Sequence, residues 1–140
     1  MLSFEIPGTR HMQTLKVDDT LIVPSVSEHF TGFRDMPPVF ATAFMVGLIE
    51  WACIEAIRPY LEANEHSVGT HVQISHMAAT PVGMKVSAFV ELIEATDRKL
   101  KFRVVCRDER DLIGEGTHER VVIDRARFIM RANAKRTTNC

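Results

Sequence analysis

Cysteine is scarce in this chain, and the three that occur form no pattern. Cys53, Cys106 and Cys140 are odd in number and widely spaced, with no C-x-x-C pair. That excludes a disulfide framework and fits a reducing compartment. Charge of one sign is also missing. Seventeen lysines and arginines against eighteen acids leave a net charge of −1, which argues against nucleic acid as the main partner. The apolar run Phe40–Ala52 is too short for a membrane span and carries Glu50. The opening MLSFEIPGTRHM has neither the basic start nor the apolar stretch of a signal peptide. There is no glycine-rich phosphate loop, no G-x-S-x-G and no zinc spacing. These absences predict a cytoplasmic protein that needs no metal and engages neither membrane nor nucleic acid.

What is present fits one compact domain. The chain has 140 residues, 46% of them hydrophobic and 25% charged, which are ordinary globular values. No repeat or flexible linker divides it, so residues 1–140 read as a single domain with a core over about 14–124. Thr14–Val23 alternates briefly and predicts a strand or strand pair. Pro24–Pro38 lacks periodicity but carries Phe30, Phe33 and Met36, the composition of a loop covering a site or plugging a core. A helix is expected next, with Pro37 and Pro38 at or just before its first turn and Pro59 ending it after Arg58. Asn64–Gly69 reads as a polar turn. Four strands then follow to Asp124, at Thr70–Thr80, Met84–Glu94, Lys99–Arg107 and Leu112–Asp124.

In the third of these four, Leu100, Phe102, Val104 and Cys106 share one face, and Lys99, Lys101, Arg103 and Arg107 share the other. That is the pattern of a half-buried antiparallel strand. Short connections predict a meander, and a helix apolar on nearly every side predicts a sheet curled around it. The fold class is therefore α+β, an antiparallel β-sheet wrapped around one long central α-helix. Its unprotected edge strand would be removed by pairing with a second copy. The basic tail 125–140 has five cations and no acid, consistent with a solvated terminus or a contact with an anionic ligand.

Two residues break the apolar pattern. Glu50 lies in VFATAFMVGLIEWACIEAI, about 140° round the helix from Glu55. A carboxylate in so apolar a setting is costly unless paired, and such a cost is tolerated mainly where the group is used. His76 alternates with Val72, Ile74 and Ala78 on the face expected to meet the helix. A lone histidine there is more often structural than catalytic, but with Glu50 opposite it forms a general-base unit. Thr42 lies two turns before Glu50 and about 80° round, as a nucleophile, an anchor or a plain helix-start residue. Gly69 allows close approach of a ligand, or is a turn glycine. Arg120, aligned with His118 and Val122, would seek an anion, either Glu50 itself or a ligand oxygen.

Three segments, MPPVFATAFMVGLIEWAC, VGTHVQISHMAATPVGM and IGEGTHERVVI, carry a specific resemblance. In order and spacing they resemble the fluoroacetyl-CoA thioesterase-like branch of the hotdog-fold thioesterases, from about Leu15 to Ile123. The resemblance implies a hotdog homodimer with acyl-CoA at the subunit interface, hydrolysed to free acid and CoA. No cofactor is implied, since CoA is part of the substrate. The family's hydroxyl, acid and histidine fall on Thr42, Glu50 and His76. The glycine and arginine bordering the acyl group fall on Gly69 and Arg120. Where the fluoroacetyl-selective enzyme has an aromatic gate, this chain has Met36, beside Phe33 in the same lid. That departure implies relaxed acyl specificity. Hydratase or dehydratase chemistry on acyl thioesters, and a non-catalytic acyl-CoA-binding module, are the alternatives within reach of the same residues.

Overall fold

The computed structural model describes residues 7–137. Five strands, β1 (Arg10–Lys16), β2 (Glu65–Ile74), β3 (Lys85–Thr96), β4 (Lys99–Arg107) and β5 (Leu112–Asp124), form one antiparallel sheet. The long helix α1 (Thr42–Ile57) lies against it, and a second helix, α2 (Arg125–Asn133), follows β5 directly. Cys140 and the last residues of the basic tail lie outside the described residues.

The interior follows the alternation closely. Val86, Ala88, Val90 and Leu92 of β3 and Leu100, Phe102, Val104 and Cys106 of β4 are all buried. They meet Met45, Leu48, Ile49, Ala52, Cys53, Ala56 and Ile57 on one side of α1. Each fully buried leucine, isoleucine or phenylalanine contributes about 1.5–3 kcal/mol relative to exposure. The β3–β4 connection is tight because Asp97 adopts φ +56°, a left-handed conformation that aspartate tolerates better than most residues.

The strand order is β1-β3-β4-β5-β2, and here the structure corrects the expected meander. Only β3, β4 and β5 follow one another. β2 pairs with β5 at the edge, and the chain crosses from there to β3. β2 also begins earlier than expected. Glu65 to Gly69 pair with Asp124 to Arg120, so the predicted polar turn is largely strand. Its polar side chains are compatible because an edge strand is half solvated. Glu65 is the buried member and is bridged by Arg98 at 2.8 Å.

Three further differences bear on the site. α1 starts at Thr42, several residues after Pro37 and Pro38, because Val39 and Phe40 are held in extended bridges to Pro81 and Ile22. The sheet covers only one side of α1, leaving Ala43, Gly47 and Trp51 exposed. Residues 125–133 are helical, capped by Asp124 accepting from the Arg127 N–H at 3.0 Å, where a solvated tail was expected.

β2 ends at Ile74, so His76 sits in the connection to β3. That connection is pinned to β5 by Ser75 N–H to Glu115 O at 3.0 Å and Met77 N–H to Ile113 O at 2.6 Å. Two glycines of β5 allow the end of β2 and this connection to come so close. A Cβ at Gly114 would overlap the Ser75 carbonyl oxygen, and one at Gly116 would overlap that of Gln73. Gly116→Ala should therefore lower stability by about 1–3 kcal/mol, the usual range for forced overpacking. Urea unfolding checks this, and a variant as stable as the parent would show that the two segments do not approach as described.

Candidate functional site

Thr42 is placed by backbone bonds on both flanks of the α1 entry. Phe40 N–H donates to Thr80 O at 2.9 Å and Ala41 N–H to Leu21 O at 3.0 Å. The first of these ties the helix entry to the chain just beyond His76. Thr42 Oγ1 and His76 Nδ1 consequently lie 2.7 Å apart, in hydrogen-bond contact. The threonine hydroxyl is not spent on capping: the N-cap residue is Ala41, with no side-chain cap bond. The His76 ring meets the Phe40 ring edge-on at 6.5 Å, and its Nε2 is buried without a hydrogen-bond partner. Burial lowers the His76 pKa below its ordinary 6.5, with the Ala78 backbone opposing. The neutral imidazole, the form able to take a proton, is therefore favoured.

Two turns further along α1, about 12 Å by helical rise, is a second polar group. Arg120 NH1 donates to Glu50 Oε2 at 3.0 Å. Arg120 Nε donates to Ser67 Oγ and NH2 to Ser67 O, both at 2.8 Å, and NH1 also meets His118 Nε2 at 3.1 Å. Gly69 lies against the cluster. A Cβ there would come within 3.1 Å of Glu50 Oε2, 3.2 Å of His118 Cε1 and 3.4 Å of Arg120 NH1. A cleft of about 390 Å³ opens beside it, lined by Val46, Glu50, Gly69, Thr70, His71, Val72 and His118.

The predicted residues are thus gathered into two groups. Thr42 joins His76, while Glu50 joins Arg120 and Gly69; Glu50 and His76 share no hydrogen bond. The sequence reading assigned the buried charge to Glu50, but its side chain is 40% exposed, and Arg120, at 3%, is the buried ion. Of the two anions considered for Arg120, Glu50 is the one it meets. Gly69 is not a turn glycine but a strand residue facing Arg120, where β2 shifts register. Phe33 and Met36 stand at the surface, 36% and 45% exposed, with Phe30 edge-on to Phe33 at 5.3 Å. Ser67 and His118 went unmarked in the sequence. His118 left one signal, its place two residues before Arg120 on the same strand face; Ser67 left none, because its pairing depends on register between distant strands. Among the described residues no three His, Cys, Asp or Glu side chains are grouped as a metal would require.

Comparison with known proteins identifies the family and the fold. The family described as fluoroacetyl-CoA-specific thioesterase matches residues 24–126. A fluoroacetyl-CoA thioesterase of Streptantibioticus cattleyicolor is 48% identical over 103 residues, 74% of each chain. A variant of the fluoroacetyl-CoA-specific thioesterase, solved with fluoroacetate and CoA, is 44% identical. It superposes with a TM-score of 0.84 over 86% of this chain and 97% of its own. A hot-dog-like protein from Thermanaerovibrio acidaminovorans, only 18% identical, shares the fold, with a TM-score of 0.77 over 95% of this chain and 93% of its own. The curled sheet around α1 is a hotdog fold, and the chain belongs to the fluoroacetyl-CoA-specific thioesterase family.

Proposed function

We propose that this protein hydrolyses small acyl-CoA thioesters to a free acid and CoA, with Thr42 and His76 as the reacting pair. The observation that carries this reading is the 2.7 Å contact between the Thr42 hydroxyl and a histidine kept neutral by burial. A hydroxyl is a weak nucleophile until an adjacent base takes its proton. His76 Nδ1 accepts that proton as Oγ1 attacks the thioester carbonyl. The C–S bond breaks, the thiolate leaves and takes the proton from the imidazolium, and the acyl group rests on Thr42. Water, deprotonated by His76, then releases the acid and restores the threonine. The uncapped positive end of α1 lies at Thr42, where it favours the developing oxyanion. Thiolate is a good leaving group, so the sequence of steps calls on no cofactor.

Gly69 and Arg120 border the acyl group, and Glu50, held by Arg120 and open to the cleft, orients water, a reading supported by the Arg120–Glu50 contact. Phe33 and Met36 form the lid. Relatives named for fluoroacetyl-CoA support an acyl-CoA substrate. Methionine is unbranched and adaptable, which favours several short acyl groups over one, since apolar pockets separate substrates by only about 1–3 kcal/mol per methylene. The working compartment is the cytoplasm, a reading supported by the free thiols of Cys53 and Cys106. No described helix is long and apolar enough to cross a membrane.

A homodimer completes the site. The side of α1 that the sheet leaves uncovered exposes Ala43, Gly47 and Trp51 beside Glu50, and the residues Thr70 to Gln73 of edge strand β2 are exposed as well. An open edge beside an apolar helix face invites a second copy, which would wall the cleft.

Thr42→Val and His76→Ala should each lower turnover by about 10² or more, and Glu50→Ala by a similar factor, in the range general acid–base groups supply. Thiol release from short acyl-CoAs measures this; near-parental rates in any variant would remove that residue from the chemistry. The pH dependence has a defined sign. Because His76 is lowered, kcat/KM should hold through pH 6.5 and fall only at a more acid value. Folding stability shifts the same way. The unfolded state binds the proton first, so the contribution of neutral His76 is intact above pH 6.5 and is lost as pH falls through its lower folded pKa. An acid limb centred above 6.5 would contradict this. In sedimentation at micromolar concentration the active species should be twice the 15.8 kDa chain mass, and a fully active monomer would contradict the dimer.

A further inference from the structure

His118 has no role in the chemistry just described, yet its surroundings are unusually determined. It is 2% exposed on β5, with Phe102 of β4 in register beside it. Nδ1 lies 2.8 Å from the His71 carbonyl oxygen and Nε2 lies 3.1 Å from Arg120 NH1. A carbonyl offers only lone pairs, so Nδ1 must carry the hydrogen. A guanidinium nitrogen offers only hydrogens, so Nε2 must be bare. One tautomer alone satisfies both neighbours.

We propose that His118 is a positioning residue, holding Arg120 against Glu50 and Gly69 as the neutral Nδ1–H tautomer and releasing it when protonated. A proton on Nε2 replaces an accepted hydrogen bond with two donors and two positive charges face to face. Arg120 then keeps Ser67 but loses the contact that aims NH1, the same nitrogen that reaches Glu50.

The charges around the ring favour the neutral form. Burial lowers the His118 pKa, the His71 backbone opposes, Arg120 lowers it further, and Glu50 on α1 and Glu119 on β5 oppose. Cys53 of α1 also faces the Arg120–Glu50 pair, but burial raises its thiol pKa, so it stays protonated and neutral. The inference rests on the reading that Gly69 and Arg120 border the acyl group beside Glu50.

The test has one arm that does not depend on that reading. In nitrogen-15 NMR of the substrate-free protein at pH 7.5, His118 should show a protonated Nδ1 and a bare Nε2. On acidification, the Arg120 Nε–H resonance should move with the same midpoint as the His118 ring. The opposite tautomer, or an Arg120 signal indifferent to His118 titration, overturns the proposal. The kinetic arm uses two variants. His118→Gln keeps an acceptor where Nε2 stood, whereas His118→Asn keeps only the donor toward His71. The Gln variant should stay within about threefold of the parent in kcat/KM. The Asn variant should lose about tenfold or more, as expected when a bond to a charged group is removed. That loss should fall in KM, because the Thr42–His76 pair is untouched. Equal losses in both variants would mean that His118 only fills space.

Discussion

The burial of the Arg120 guanidinium is the constraint from which the site follows. An ion that is 3% exposed costs several kcal/mol unless its hydrogens are met, and here Ser67, Glu50 and His118 accept four hydrogen bonds from it. The bonds reach from β5 to β2 on one side and to α1 on the other. They fix the rotation of the helix relative to the edge strand and bring Glu50 to the mouth of the cleft. A Cβ at Gly69 would crowd the same groups, 3.1 Å from Glu50 Oε2 and 3.4 Å from Arg120 NH1, so a side chain there would require them to give by a few tenths of an ångström. One buried charge thus ties together β5, β2 and α1 through the side chains of Ser67, Glu50 and His118.

The other half of the site depends on backbone instead. Thr42 and His76 come together because the chain before α1 and the connection after β2 are each bonded into the fold: the first to Leu21 and Thr80, the second to Glu115 and Ile113. Gly114 makes the second attachment possible, and Gly116 makes room for the end of β2 that leads into it. The pair is therefore a rigid arrangement on hydrogen-bonded backbone, the preorganisation that an attacking group and its base require. Thr42 is exposed because it opens α1, and Glu50 borders the helix face that the sheet leaves uncovered, so solvent, substrate or a second copy can reach both.

Much of this was legible in the sequence, and the reasons are physical. Alternation in β3 and β4 identified the core faces, because a two-residue period leaves no ambiguity about which side is buried. The positions of Glu50, His76 and Arg120 stood out as polar residues in apolar runs. Their partners did not, because local periodicity carries no information on the register between β2 and β5 or on the crossover that makes β2 an edge. For that reason the pattern points Glu50 toward His76 and leaves Ser67 and His118 inconspicuous. The short helix at 125–133 was missed because its arginines dominate the composition, while its cap lies in the strand before it. The uncovered side of α1 looks like core in the sequence, since apolar residues facing a missing partner look the same as apolar residues facing a sheet.

The central claim is that the Thr42 hydroxyl takes the acyl group with His76 as its base. The most direct measurement is product partitioning in the presence of hydroxylamine, using one acyl group on two different thiols, CoA and N-acetylcysteamine. A shared acyl-threonine predicts the same ratio of hydroxamate to acid from both thioesters, because the thiol has left before the ratio is decided. A ratio that changes with the leaving thiol would mean that water attacks the thioester directly and that Thr42 does not carry the acyl group.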